Sequence, residues 1–414
     1  MKLGLAIFLL CALTCVAASG PDDWTQWRGP HRDGVISSFK EPRVWPENLT
    51  LKWKIKVGEG HSSPVVSGRY IYLLSREDEN EVVRGLDLAT GKELWRDSYP
   101  VEYTMHSAAT AHGKGPKSTP LLADGKLFTF GISGVFSCYD AKTGKLRWRK
   151  ETAKQFDNVL PSFGLTVSPL FVNGLVITHT GNNQAGALKA FDAETGEEKW
   201  NWTGDSPSYA SPVIAKLAGA RQVILLSLRS IVGIAAESGA LLWQIPYPGI
   251  NHAVTPIVYR DTVIASGTTK GMTAFSITKK AGEWSSAELW HIDNVESRMS
   301  SPVLDGSHLF GLSNKQSGQF FCLDAQTGKL LWTSEGRKGE YATVSRTDDK
   351  LLLLTNGGAL IVAKISKERF EPLKNYQLSD SQTWAHLVIA SNQLLVKDKE
   401  TLALWSLEYH HGGF

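Results

Sequence analysis

The chain has 414 residues, with 44 lysines and arginines against 41 aspartates and glutamates, for a formal net charge of +3. This near balance, with no dense basic run, excludes a nucleic-acid footprint. Beyond Val16 no apolar run reaches the roughly 18 residues a membrane helix needs, so no transmembrane segment is predicted.

The chain opens on a targeting signal. Lys2 supplies the positive end, and Leu3 to Val16 is apolar but too short to span a bilayer well. Val16-Ala17-Ala18 is a small-residue cleavage site, so residues 1–18 are assigned as a signal peptide. Ala12-Leu13-Thr14-Cys15 fits a lipid-anchoring cysteine poorly. The mature chain is expected to be exported, periplasmic or extracellular. Residues 19–48 form a polar, Pro-rich arm carrying Trp24, Trp27 and Trp45. Disordered tails are seldom so aromatic, so the arm is expected to pack on the body. Leu49 to Val57 then reads as a lone strand bearing Trp53, with no hairpin before it.

From there one unit repeats. It begins with a small hydroxyl residue, proline and an apolar residue, as in Ser63-Pro64-Val65, Thr119-Pro120-Leu121, Ser168-Pro169-Leu170, Ser211-Pro212-Val213, Thr255-Pro256-Ile257 and Ser301-Pro302-Val303. Weaker copies stand at Ala342-Thr343-Val344 and Trp384 to Leu387. The proline-equivalent positions are separated by 56, 49, 43, 44, 46, 42 and 43 residues. These are eight units at the period of a propeller blade.

Each unit ends in a hairpin, best preserved from Cys322 to Trp332. Asp324 can bond the turn backbone, and Gly328 supplies a positive φ. Copies run Leu86–Trp95, Tyr139–Trp148 and Phe191–Trp200; an eroded one runs Ile234–Trp243, and a stretched one links Ala274 to Trp290. Apolar runs between the two markers, such as Tyr70 to Leu74, give four antiparallel strands per unit, A to D. The last unit supplies only three before the chain stops, and the orphan at about 49–57 is the missing strand D. The predicted fold is therefore all-β: an eight-bladed β-propeller over residues 49–408, closed by its N-terminal strand. Residues 409–414 are a tail, where His410-His411 reads as solvated rather than metal-binding.

Cys11 and Cys15 leave with the signal. Cys138 and Cys322 fall in blades 2 and 6, too far apart for a disulfide, whose Cα atoms must lie within about 7 Å. Both are expected free and buried, in a slot that elsewhere holds Gly85, Ala190, Gly233 and Ala274 and marks close sheet packing. In a eukaryotic setting, Asn48-Leu49-Thr50 and Asn201-Trp202-Thr203 would be glycosylation sequons.

The blade pattern, Ser/Thr-Pro-apolar followed by Asp-Ala-x-Thr-Gly-Lys-x-x-Trp, resembles the tryptophan-docking repeat of the pyrroloquinoline quinone (PQQ)-like propeller superfamily. Trp24-Thr25-Gln26-Trp27-Arg28-Gly29-Pro30 is similar to the opening of exported members of that superfamily. The resemblance implies an eight-bladed ring and two functional classes. One is the quinoprotein dehydrogenases, which use PQQ with calcium, and in the alcohol dehydrogenases an adjacent-cysteine disulfide and an aspartate base. The other is non-catalytic scaffolds, including the lipoprotein of the outer-membrane barrel assembly machinery. The mature chain has no Cys-Cys pair. The expected role is thus a monomeric, non-catalytic binding module for a protein, peptide or polysaccharide, without cofactor. A PQQ-dependent dehydrogenase is the alternative.

The Thr-Gly turns join strands C and D on one face. The D–A connections lie on the other, near the channel. From tryptophan to proline these connections span 25 residues after Trp95 and 21 after Trp148, against 12 or 13 after Trp200, Trp243 and Trp290. Long loops on a rigid scaffold are where binding resides. Residues just before strand A should rim the channel: His61, Lys117, Thr166, Tyr209, His252, Arg298, Tyr341 and Trp384. The first long loop adds His106 and His112, and the second adds Asp157, Asn158 and Phe163. This set suits an anionic or sugar-like ligand. The histidines are too scattered for a known metal signature.

Overall fold

Short β-branched and aromatic runs between tight turns form 32 strands, from Thr50–Lys56 to Thr401–Ser406. The computed structural model describes residues 23–37, 39, 41–156, 160–249 and 252–407. The signal peptide, the tail, Asp157 and Asn158 fall outside the described residues. The strands make eight four-stranded sheets. In blade 1 the order is Val65–Ser67, Tyr70–Glu77, Asn80–Asp87, Glu93–Pro100, antiparallel throughout. Strands B and C are buried along nearly their whole length, whereas strand D is largely exposed. The core therefore lies between blades, which is why B and C read as continuous apolar runs.

The last sheet takes Val388–Ala390, Gln393–Lys397 and Thr401–Ser406 from the C-terminal end and Thr50–Lys56 from the N-terminal end. Lys54 pairs with Ala403 and Ile55 with Leu402 across the closure. The ring closes as the strand arithmetic predicts.

The repeated residues hold neighbouring blades together. In the hairpin at Asp324, one carboxylate oxygen accepts from the Gln326 and Thr327 backbones and the Thr327 hydroxyl, and Gly328 sits at φ 72°. That turn lies under Trp290 of the preceding blade, whose indole donates to the Ala325 carbonyl at 3.1 Å. The same docking joins Trp53 to Leu88, Trp95 to Ala141, Trp148 to Ala193 and Trp332 to Ser366. The small-residue slot has a more local cause than sheet packing. Gly85, Cys138, Ala190, Gly233, Ala274 and Cys322 each pair directly with the strand D tryptophan of their own blade. A Cβ on Gly85 would lie 2.4 Å from the Trp95 ring. Both cysteines are free and buried, and burial pushes each thiol up to about 12.

The Ser/Thr-Pro marker forms an inner belt. The Thr119 N–H donates to the Ser168 hydroxyl, Ser168 N–H to Ser211, Thr255 N–H to Ser301 and His386 N–H to Ser63. At these four junctions one blade passes a backbone donor to the next blade's hydroxyl around the channel, whereas between blades 6 and 7 the Ala342 N–H donates back to Ser300.

The arm does more than pack on the body: it enters the channel from the turn face. Trp24 pairs with Val66, and the Thr25 carbonyl accepts from Leu122. The chain turns at Gly29, where φ is 86°, and leaves along blade 7 through a Val35–Arg346 bridge. Trp45 then packs near Tyr376, in the one outer strand that carries no tryptophan, Pro372–Gln377.

Candidate functional site

Strand A is only three residues long in most blades. Residues just ahead of it therefore converge on the axis. On the D–A face they line a cavity of about 340 Å³, at the lower end of the usual range for ligand sites. His61, His112, Lys117, Tyr209, Arg298, Tyr341 and Trp384 all line it, as does Thr166. His106 and His252 do not. The exposed His106 caps the short 3₁₀ turn Ser107–His112 by accepting from the Ala108 N–H. His252 is fully buried, with Nε2 3.2 Å from the Tyr247 carbonyl and its ring pressed against Gly249 and Gly267. One caps a turn and the other fills the core, so neither reaches the mouth.

The two long loops meet over the cavity. The His112 ring packs edge-on against Phe163 of the second loop at 5.4 Å and against Trp384 at 4.6 Å. Phe163 in turn meets Tyr209 at 5.3 Å. Across the mouth Tyr341 stacks on Trp384 at 5.3 Å. Trp27 of the arm also lines the cavity. Because the arm enters from the opposite face, this indole forms the floor, and the cavity is blind rather than a through-channel.

The electrostatics are one-sided. Among the described residues no aspartate or glutamate lines the cavity. Arg298 is balanced by Glu296, with Nε 2.6 Å from the carboxylate. Lys117 donates to the Gly113 and Gly115 carbonyls, at 3.4 and 3.3 Å, and burial lowers its ammonium to about 8 against the weaker opposing pull of Glu59 and Glu81. Burial, together with the positive charges of Lys117 and Lys397, holds the His61 imidazole well below its ordinary range, so it is neutral. Among the described residues neither ring nitrogen of His61 has a hydrogen bond of good geometry, and the His112 backbone opposes the lowering only weakly. A buried imidazole without a partner is costly unless something supplies one. The site thus offers a neutral imidazole, an ammonium and aromatic walls, which suits a ring or side chain bearing negative charge.

Sequence reasoning did not find Trp27 or the serines of the belt that reach the cavity, Ser168 and Ser211. The signal for Trp27 was local, an aromatic two residues before a Gly-Pro turn. Only the path of the arm puts it on the axis.

A family model described as outer membrane protein assembly factor BamB matches residues 79–334. The BamB of Shewanella oneidensis is 22% identical over 296 residues, covering 70% of this chain and 61% of that protein. The quinohemoprotein alcohol dehydrogenase ADH-IIG of Pseudomonas putida is 26% identical over 175 residues, covering 41% of this chain and 23% of that protein. The chain therefore spans less than two thirds of the length of either relative. Among solved structures, the quinohemoprotein alcohol dehydrogenase from Comamonas testosteroni superposes with a TM-score of 0.68 at 13% identity, covering 95% of this chain and 82% of that one. That likeness is one of fold.

Proposed function

The chain belongs to the family described as outer membrane protein assembly factor BamB, and from that premise we propose that it is an exported, non-catalytic scaffold that binds a peptide segment of a protein partner at the D–A mouth. The observation that carries this reading is the blind aromatic cavity with the buried His61 imidazole, lacking a well-directed hydrogen bond among the described residues, at its wall. Aromatic walls bury the apolar part of an inserted side chain, and His61 and Lys117 meet its polar end. A segment offering an aromatic side chain beside a carboxylate is the chemistry that fits. Export is supported by the N-terminal signal. No helix among the described residues is long and apolar enough to cross a membrane.

The dehydrogenase relatives raise a second reading, and the residues do not fit it. Calcium takes roughly six to eight oxygen ligands, carboxylates among them, and among the described residues no carboxylate lines this cavity. Among the described residues no group of three or more His, Cys, Asp or Glu is placed to hold a metal ion. Cys138 and Cys322 are separate buried thiols.

One titration series discriminates. The purified mature protein is mixed with PQQ and calcium and assayed for dye reduction, and in a parallel arm with an unstructured peptide rich in tyrosine and aspartate. The expected result is no turnover, with saturable peptide binding that Trp384→Ala weakens. Stoichiometric quinone uptake with turnover would overturn the scaffold reading, and absence of peptide binding would overturn the peptide segment as ligand.

A further inference from the structure

The arm also carries two arginines whose placement the mouth does not explain. Arg28 and Arg32 are 2% and 3% exposed, in the channel beneath Trp27. Both guanidinium carbons lie within 6 Å of the Trp27 ring centroid, at 5.6 and 5.8 Å. Within the arm, Arg28 donates to the Asp33 carbonyl at 3.2 Å and Arg32 to Gln26 Oε1 at 3.1 Å, and their other donors go to backbone carbonyls at the starts of the innermost strands. Arg28 donates to Pro302, and Arg32 to Pro169 at 2.7 Å and Ser168 at 3.1 Å. The Nε atom of each is buried without a partner. Among the described residues neither guanidinium has a carboxylate within ion-pair distance. Carbonyl dipoles and an indole face soften the burial of these charges, but do not cancel two like charges side by side.

These arginines border a second cavity of about 370 Å³ on the turn face, which Arg346 and His31 also line. Among the described residues its one acidic side chain is Asp33, which is exposed and accepts from the Val35 N–H. Arg346 is held by the Leu304 carbonyl at 2.6 Å and loosely by Asp305 at 3.8 Å. The cavity wall is therefore positive, lies apart from the mouth, and is separated from it by Trp27.

We propose that this turn-face cavity binds a small oxyanion, a phosphate or carboxylate, facing Arg28, Arg32 and Arg346. The exposed Asp33 carboxylate acts on Arg28 only from outside ion-pair distance, and the anion adds the close counter-charge that the buried arginine pair lacks and ties the arm to the ring. A charge-assisted bond to a guanidinium is stronger than a neutral one, so a single anion here serves three blades and the arm at once. The site does not depend on what the mouth binds.

Calorimetric titration of the mature protein with inorganic phosphate at low ionic strength tests it, with parallel arms for glycerol 3-phosphate and citrate. The expected result is one saturable site for at least one of the three. Arg346→Gln should weaken it about tenfold or more, the loss of one charged hydrogen bond, while Arg346→Lys keeps most of the binding. Lys117→Met, at the other mouth, should leave it unchanged. The three arms distinguish a free phosphate, a phosphate ester and a carboxylate as the source. No saturable binding of any of the three overturns the proposal. So does equal binding by Arg346→Gln, or loss in Lys117→Met in its place. If Arg346→Gln does not fold, the rim variant His31→Glu, which puts an acid at the cavity mouth, must weaken binding, and unchanged binding there overturns the proposal as well.

Discussion

Gly144 in blade 2 answers two demands at once. It sits at φ 72°, and a Cβ there would lie 2.5 Å from the Trp95 ring of blade 1. Gly125, in the same blade, shares the first demand at φ 70° but has nothing within 4 Å. The pair separates backbone strain from tryptophan docking. Gly125→Ala should cost about 1–2 kcal/mol, the left-handed penalty alone. Gly144→Ala should cost a further 1–3 kcal/mol or so for overpacking, read from denaturant midpoints at constant m-value. Equal losses would mean the indole yields and the docking contributes little. The candidate site residues follow the same logic of neighbours: His61 and His252 both precede a strand A, yet one lines the mouth and the other is walled in by Gly249 and Gly267.

At the level of elements, the closing strand and the arm are adjacent in sequence but do different work. Thr50–Lys56 covers the edge of Thr401–Ser406 and completes a sheet. An uncovered edge of this kind is a template for pairing with another chain. A mature chain lacking everything up to residue 57 should self-associate on gel filtration. One lacking only residues up to 37 should keep the closing strand and stay unassociated, while losing Trp27 and both buried arginines. If the longer truncation elutes like the shorter one, the closing strand is not what protects the edge. The arm's two ends also explain its composition. Trp24 and Trp45 are anchored in the core cluster that spans blades 1, 7 and 8, and the Gly-Pro turn between them is what enters the channel.

On the scale of the whole ring, the lead into the first blade and the last blade meet at Lys397. Its ammonium is 1% exposed and donates to the carbonyls of Gly58, Gly60, Asp398 and Lys399. Burial lowers it to about 7, against a usual value near 10.4 for an unfolded lysine. The folded state therefore releases this proton first. Between about pH 7 and 10 the unfolded chain binds more protons, so this group makes stability rise with pH. Below pH 7 both states are charged and the contribution is flat. Buried tyrosines and the two thiols, all raised by burial, act oppositely at the alkaline end, so the comparison must be differential. Unfolding free energy measured from pH 6 to 9 should climb more steeply in the wild type than in Lys397→Met. The variant should also be less stable throughout, since four carbonyls lose their donor. Parallel pH profiles would show that Lys397 titrates normally.

The sequence by itself determined the blade count, the strand pattern and the closure, because each rests on local chemistry repeated along the chain: a proline start, a glycine turn, a tryptophan on the outer strand. It also pointed to most of the positions that converge on the axis, since a residue just before the innermost strand usually faces the channel, His252 being the exception. Of its candidate residues, His61, His112, Lys117, Phe163, Thr166, Tyr209, Arg298, Tyr341 and Trp384 line one cavity. Only the tertiary structure decided the rest. The arm does not repeat, so no period could reveal that Trp27 floors the mouth or that Arg28 and Arg32 lie buried beneath it. His106 and His252 looked equivalent to their neighbours until a helical turn took one and the core the other. Repetition makes architecture legible one residue at a time, whereas a binding site is set by contacts between segments far apart in the chain, which no local pattern encodes.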